Sequence, residues 1–298
     1  MNRKFWLLTL SGSLTCAVFG QTWVASTGSD TNNCTRTSPC KTFQHAHDVA
    51  APSGQVRALD AGEFGSLIIT KAITIDGGGL ASNAPTSGTA ITINAGASDV
   101  VQLRNFSIHG RGATNGITYS TGAQVLIENV QINGFTSSCI GAVVLNSGIA
   151  DMVVKDSSVE NCGTGIFVSG VPATLTVEVI NSHATFSHYG VYAYSGLVTI
   201  TGSTFSSPGY GSPNVGIYQA SHTPAEPNQQ IILDNCRVSG YAYGVFSGGG
   251  TTQVSRSVIA NNSIGVSATA PGSVLSNGNN SFFNNASNGA FSATSTLF

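Results

Sequence analysis

The chain has 298 residues, of which only 8% are charged, and its formal net charge is −2 at pH 7. Ordinary globular domains carry about 25% charged residues, so solubility here depends on hydroxyl and amide side chains. So few cations in a slightly acidic chain argue against nucleic acid, and we expect no nucleic-acid partner. Abundant Gly, Ser, Thr and Asn favour a repetitive β structure with polar outward positions and tight corners.

The N-terminus has the pattern of a secretory signal peptide. Two basic residues precede an apolar run over residues 5–19, which is too short for a comfortable membrane span. We therefore divide the chain into a signal peptide, residues 1–20, and a single mature domain, residues 21–298. The mature protein is expected to be secreted or extracytoplasmic, with no membrane span once the signal is removed.

Five cysteines follow the signal peptide, an odd number for an oxidising compartment. Cys34 and Cys40 bracket a short loop and are the best disulfide candidates. Cys139 and Cys162 are a weaker pair, and Cys236 would remain as a buried thiol. A zinc site is the rival interpretation, but no Cys-x-x-Cys spacing supports it, and we predict no metal site.

A glycine followed by an aliphatic residue recurs every 21–28 residues along the rest of the chain. Between these glycines lie two further short β-like runs, so each repeat supplies three short strands. One such coil cannot bury its inward face alone. When coils stack about 4.8 Å apart, each strand forms backbone hydrogen bonds with the matching strands of the coils above and below. We therefore predict a parallel β-helix of about nine to ten three-strand coils. A flat β-sandwich would not keep one glycine in step over eight occurrences. The repeating glycines are Gly116, Gly141, Gly165, Gly190, Gly216, Gly244, Gly265 and Gly289.

Hydrophobic alternation predicts which residues of each coil point inward. The residue after the repeating glycine is aliphatic in most coils and is expected in the core. The predicted inward column consists of Ile117, Ile166, Val191, Ile217, Val245 and Val266.

Four segments ahead of the repeat resemble the opening of pectate-lyase-like right-handed parallel β-helix proteins. The segments are residues 23–30 (WVASTGSD), 39–44 (PCKTFQ), 54–64 (GQVRALDAGEF) and 73–77 (ITIDG). The resemblance implies an all-β fold with a short first strand and an N-terminal cap helix over about residues 41–51. Coils and a C-terminal tail would follow over about residues 56–298. Within the helix, the residues that would close the end of the tube are Phe43, Ala46 and Ala50.

The resemblance also implies enzymes that act on polysaccharides, but their hallmark motifs are missing. A hydrolase on this scaffold needs clustered aspartates, and the chain has no two adjacent acidic residues. A calcium-dependent lyase needs converging carboxylates and a base. The only region with enough such groups contains Asp76, Asp99, Arg104, His109, Arg111 and Glu128. Arg104, Glu128 and Lys155 fit an outward ladder of alternating charge better. Activity as a lyase or hydrolase stays open, and no catalytic residue is assigned. No cofactor is predicted, and Ca²⁺ stays an open alternative without support.

An aromatic residue stands two places after four of the repeating glycines, where alternation points it outward. The predicted column consists of Phe167, Tyr192, Tyr218 and Phe246. Two enlarged loops, residues 206–214 and 221–230, are expected to lie along the sides of this column.

Exposed aromatic rings suit the apolar faces of sugars. We therefore expect an exported protein that binds, and in one interpretation processes, a polysaccharide or cell-surface glycan. The alternative is a non-catalytic surface or adhesion scaffold whose aromatic column contacts another protein. In a purely structural interpretation the rings stack on one another for stability, or are covered by the C-terminal tail or another subunit.

Overall fold

The structure is a computed structural model that describes residues 20–144, 149–170, 175–185, 187–208, 214–220 and 229–294. The predicted signal peptide lies outside these residues except for Gly20, so it stays a prediction. In the described part of the chain, no helix has the length and apolar character that crossing a membrane requires.

A short helix closes the N-terminal end of the β-helix, as the resemblance implied. Strand β1 (Gln21–Val24) leads to helix α1 (Phe43–Val49). The Thr42 hydroxyl caps α1 by accepting a hydrogen bond from the backbone N–H of His45 at 3.1 Å. The residues predicted to close the tube are all buried: Phe43, Ala46 and Ala50.

The coils begin at residue 54 and continue to residue 294. The strands of the first coils are β2 (Gly54–Ala58), β3 (Gly62–Glu63), β4 (Leu67–Ile69), β5 (Ile73–Asn83), β6 (Thr89–Asn94), β7 (Val100–His109), β8 (Asn115–Thr121), β9 (Gln124–Asn133) and β10 (Ser138–Val144). Those of the middle coils are β11 (Ala150–Lys155), β12 (Ser158–Glu160), β13 (Thr164–Gly170), β14 (Leu175–Ile180), β15 (His183–Thr185), β16 (Tyr189–Ala193), β17 (Leu197–Thr201), β18 (Thr204–Ser206) and β19 (Val215–Gln219). Those of the last coils are β20 (Gln230–Asp234), β21 (Arg237–Ser239), β22 (Tyr243–Ser247), β23 (Thr251–Ser255), β24 (Val258–Ala260), β25 (Ile264–Ala268), β26 (Ser273–Ser276), β27 (Ser281–Phe283), β28 (Ser287–Gly289) and β29 (Ala293–Thr294).

The strands form two parallel sheets around one core. The ten-stranded sheet takes one strand from each coil, in the order β28-β25-β22-β19-β16-β13-β10-β8-β6-β4, and the remaining strands form a nineteen-stranded sheet. The predicted right-handed parallel β-helix is therefore confirmed. About eight of its turns are regular, slightly fewer than the predicted nine to ten.

The predicted inward column is confirmed. All six of its residues are at most 2% exposed. Neighbouring members are paired strand to strand, as Val191 is with Ile166 on one side and Ile217 on the other.

Two coils differ from the predicted register. Ile140, rather than Ala142, pairs into the inward column, so Cys139 takes the glycine position of that coil. In the last coil Gly289 itself pairs with Val266. The cause is that small residues occupy consecutive positions in both strands, so alternation in the sequence fits more than one register.

Three of the repeating glycines show a steric requirement. A Cβ built on Gly165, Gly190 or Gly244 would lie 2.5–2.6 Å from the carbonyl oxygen of the glycine in the next coil. None of the three has a positive φ, so backbone torsion does not demand glycine there. Glycine recurs because the backbones of successive coils come too close at this corner for a side chain.

A second corner, between the two strands of the nineteen-stranded sheet in each coil, relies on backbone torsion. Its residue has a positive φ in most coils, a conformation that Asn and Asp tolerate best among non-glycine residues. The side chains also pair along the stack: the Asn129 amide donates to Asn105 at 2.9 Å. This pairing explains the many asparagines in a chain with few charges.

The predicted disulfide and the weaker candidate pair are both bonded. Cys34 is bonded to Cys40 beside the cap helix, and Cys139 is bonded to Cys162 in the next coil, 23 residues later. Cys236 is a buried free thiol, as expected. The second bond closes the longer loop and is expected to stabilise the fold by about 3 kcal/mol.

We expect intact-mass measurement to find four cysteines oxidised and one thiol that resists labelling. Burial raises the pKa of the Cys236 thiol to about 11, so little thiolate is present at neutral pH. An alkylating reagent should therefore modify no cysteine in the native protein and one cysteine after unfolding without reductant. Rapid native labelling, or three or more free thiols, would contradict this assignment.

Candidate functional site

Aromatic side chains lie in register on four neighbouring strands of the ten-stranded sheet. The pairs are Phe167 with Tyr192, Tyr192 with Tyr218, and Tyr218 with Phe246. All four side chains are partly exposed while the residues on either side of them are buried, so they point outward. The structure thus brings the four predicted residues together.

Three further tyrosines enlarge this column. The ring centroid of Tyr192 lies 4.9 Å from those of both Tyr189 and Tyr194. The ring centroid of Tyr243 lies 5.3 Å from that of Phe246. The aromatic surface is defined here as these seven residues: Phe167, Tyr189, Tyr192, Tyr194, Tyr218, Tyr243 and Phe246.

Stacking between rings dominates the aromatic surface. The rings of Tyr192 and Tyr218 stack at 4.8 Å with an interplanar angle of 20°. Phe167, at one end, meets Tyr192 edge-on at 5.8 Å and 82°. Each such contact contributes about 0.5–1.5 kcal/mol beyond burial. Because the tyrosine faces pack on one another, ring edges and hydroxyl groups form most of the outward face.

The hydroxyls of Tyr192 and Tyr218 are neutral at physiological pH. The Tyr192 hydroxyl donates to that of Tyr194 at 2.6 Å. Burial raises the pKa of Tyr192, and the Tyr194 hydrogen bond and neighbouring tyrosines raise it further. Burial and neighbouring tyrosines also raise the pKa of Tyr218. The hydroxyls therefore act as uncharged hydrogen-bond donors and acceptors.

None of the ten strands of this sheet contains Asp, Glu, His, Lys or Arg. A general acid or base must be within hydrogen-bonding reach of the proton that it transfers. These strands thus offer binding groups but no side chain that titrates near neutral pH. Of the loops predicted to wall the aromatic surface, residues 209–213 and 221–228 lie outside the described residues.

The acidic groups of the early coils form a charge ladder on the nineteen-stranded sheet. Its rungs alternate in sign and are paired strand to strand: Arg57, Asp76, Arg104, Glu128 and Lys155. Arg104 Nε lies 3.4 Å from Asp76 Oδ2, and Lys155 Nζ lies 3.1 Å from Glu128 Oε1. Because each carboxylate lies between two cations, the ladder interpretation is confirmed and the lyase interpretation of these residues is not supported.

The other residues of the lyase interpretation each bind a different partner and do not converge on one site. Asp99 accepts from the backbone N–H of Gly96 at 2.8 Å, and Arg111 donates to Glu63 at 2.7 Å. His109 Nδ1 lies 3.2 Å from the side-chain oxygen of its neighbour Asn133. Among the residues that the structure describes, the one grouping of three potential metal ligands is Cys34, Cys40 and His45, and its two sulfurs form a disulfide.

Replacing Asp76 with Asn is expected to reduce the dependence of stability on acid pH. Burial alone would raise the pKa of Asp76, but hydrogen bonds from Asn105 and Gly78 and the charge of Arg104 lower it overall. A carboxyl group with a lowered folded-state pKa stabilises the fold above its unfolded pKa, and this contribution is lost as pH falls through the folded pKa.

Urea unfolding from pH 7 to pH 2 checks this prediction. The wild-type free energy of unfolding should fall more steeply below about pH 4 than that of Asp76→Asn. Exposed Glu178, changed to Gln, is the control and should retain the wild-type slope. Equal slopes for Asp76→Asn and wild type would refute the prediction.

Solved structures share this architecture. The fold is that of the pectate-lyase-like right-handed parallel β-helix. A pectate lyase, Pel9A, superposes with a TM-score of 0.68 at 12% identity, over 93% of this chain and 78% of that chain. The pectin methylesterase from Aspergillus niger gives 0.51 at 10% identity, covering 88% of each chain. The A-module of the mannuronan C-5 epimerase AlgE4 from Azotobacter vinelandii gives 0.50 at 15% identity, over 83% of this chain and 90% of that module.

At 10–15% identity, these similarities establish the fold and leave the activity open. No protein-family model matches the sequence, and a search of curated proteins finds no significant relative.

Proposed function

We propose that this protein is exported and binds a polysaccharide along the aromatic surface. The observation that carries the proposal is the continuous set of seven partly exposed rings on a sheet without acidic or basic side chains. Large exposed apolar patches on soluble proteins usually have a binding role. The structural neighbours are named as enzymes of pectate, pectin and mannuronan, which are polysaccharides.

The dimensions of the aromatic surface suit an extended chain. Four strands spaced about 4.8 Å apart span roughly 14 Å along the β-helix axis, enough for a few sugar units. Ring edges contact the C–H groups of sugars, and tyrosine hydroxyls exchange hydrogen bonds with sugar hydroxyls. Each ring contributes on the order of 1 kcal/mol, so affinity depends on several rings acting together.

Export is supported by the two disulfides, which persist in oxidising compartments, together with the predicted signal peptide. The proposal assigns no catalytic step to the aromatic surface, because its strands lack an acid–base group. The protein is therefore proposed to be a secreted or extracytoplasmic binding protein.

The second candidate is a non-catalytic scaffold that uses the same surface to contact a protein. The observation that favours it is the stacking of Tyr192 on Tyr218, which occupies the ring faces that sugars commonly use. Protein interfaces are rich in tyrosine, which offers an apolar ring with a polar end.

Affinity gel electrophoresis separates the two candidates. The purified exported protein is run through gels containing single plant, algal or bacterial polysaccharides, and the same mixtures are assayed for newly formed chain ends. We expect retardation by at least one polysaccharide without turnover. Unretarded migration in every gel would reject glycan binding and favour protein contact.

A further inference from the structure

We infer that the polysaccharide bound by the aromatic surface is uncharged, and that polymers bearing a carboxylate on each sugar are excluded. This inference rests on the proposed function and specifies its substrate class. The enzymes that share the fold are named for pectate, pectin and mannuronan, so the inference separates this protein from its structural neighbours.

The first observation is the distribution of charge along the chain. Residues 156–236, which contain five of the seven aromatic residues, include five acidic residues and no Lys or Arg. The acidic residues of this segment are Asp156, Glu160, Glu178, Glu226 and Asp234. Asp156 and Asp234 are paired with Lys155 and Arg256, which lie just outside the segment. The segment therefore carries a modest net negative charge and supplies no Lys or Arg to an anionic ligand.

The second observation concerns the cations that flank this segment in the sequence. Lys155 contacts Glu128 at 3.1 Å and Asp156 at 3.5 Å. Arg256 makes an ion pair with Asp234. Both cations, like Arg237 on β21, belong to the nineteen-stranded sheet or its corner rather than to the ten-stranded sheet. Lys155 and Arg256 thus already have carboxylate partners, and all three lie away from the strands that hold the rings.

Recognition of a carboxylate commonly relies on a charge-assisted hydrogen bond from Arg or Lys. Without one, the carboxylate loses water on binding and gains only neutral hydrogen bonds, which is unfavourable. The net negative charge of the segment adds a weak repulsion, screened by salt, to a polymer that carries many carboxylates. A neutral sugar has neither cost, and its hydroxyls can exchange hydrogen bonds with the tyrosine hydroxyls.

Affinity gels with matched polymers test the inference. Polygalacturonate and highly methyl-esterified pectin share a backbone and differ in charge, so they form the matched pair. Alginate is a second acidic polymer. Mixed-linkage glucan, xyloglucan and galactomannan are further neutral polymers. We expect retardation by one or more neutral polymers. Binding to polygalacturonate and alginate should be at least tenfold weaker than to the best neutral polymer, with the gap narrowing as salt rises.

The Tyr192→Ala/Tyr218→Ala variant separates the two ways of failing. If an acidic polymer binds as well as any neutral one and the variant loses that binding, the inference is wrong while the proposed function holds. If wild type and variant bind every polymer equally, the proposed function itself is wrong, and the inference falls with it.

A gain-of-binding variant offers an independent check. Ser267 follows Phe246 in the same outward column and is partly exposed. Ser267→Arg should strengthen polygalacturonate binding at least threefold in low salt, and Ser267→Gln, of similar length but neutral, should not. Equal binding by both variants would contradict the inference that a missing cation excludes acidic polymers.

Discussion

Gly244→Ala is expected to destabilise the β-helix by more than about 3 kcal/mol. A Cβ at this position would lie 2.6 Å from the carbonyl oxygen of Gly265 and 2.9 Å from Ile259 Cγ2. The oxygen belongs to the backbone of the next coil, which cannot move without breaking strand pairing. The measurement is the free energy of unfolding in urea, with circular dichroism reporting β structure.

Gly141→Ala is the matched control, because the same substitution is made in the same sheet at an outward position. A Cβ there would meet only Ser138 Oγ at 3.3 Å and two further atoms at 3.8 Å. We expect a change within about 1 kcal/mol, partly offset by the lower entropy of the unfolded chain. Equal losses in Gly141→Ala and Gly244→Ala would show that crowding does not explain the glycine repeat.

The Tyr192→Ala/Tyr218→Ala variant is expected to lose detectable polysaccharide binding. These rings form the centre of the aromatic surface, with their centroids 4.8 Å apart. At about 1 kcal/mol per ring, the double change weakens binding about thirtyfold, which places a weak interaction below detection in an affinity gel. The fold should persist, because outward side chains leave no core cavity when shortened.

Two controls accompany this variant. Tyr192→Phe/Tyr218→Phe keeps both rings and removes both hydroxyls, so it measures the hydrogen-bonding share of binding. Phe283→Ala removes an aromatic ring that is 68% exposed and lies on the nineteen-stranded sheet, so binding should be unchanged. Unfolding of the double alanine variant would instead assign the aromatic surface a structural role.

Four of the seven rings were predicted from the sequence, and three were not. Tyr194 lies two residues after Tyr192, so alternation could have identified it, but Tyr189 and Tyr243 break the alternation. Tyr189 lies three residues before Tyr192, and strict alternation would place it on the opposite face. Gly190 and Val191 are both buried, so alternation breaks there and Tyr189 turns outward. The signal that identifies Tyr189 and Tyr243 is their shared place directly before a repeating glycine.

The sequence by itself determined the architecture. Stacked coils make the same steric and hydrophobic demands at every turn, so one glycine and one aliphatic residue return at each coil. The Cys34–Cys40 bond was local enough to predict, because only a short loop separates the two cysteines. The cap helix with Phe43 was implied by the resemblance of the opening segments.

Only the tertiary structure decided how side chains from different coils meet. It extended the predicted charge ladder to Asp76, which lies between Arg57 and Arg104, and it stacked Tyr218 face to face on Tyr192. Both outcomes depend on register between residues of different coils and on side-chain rotamers. Because small residues in one strand fit two registers equally well, the chain alone leaves that choice open, and packing of the whole core makes it.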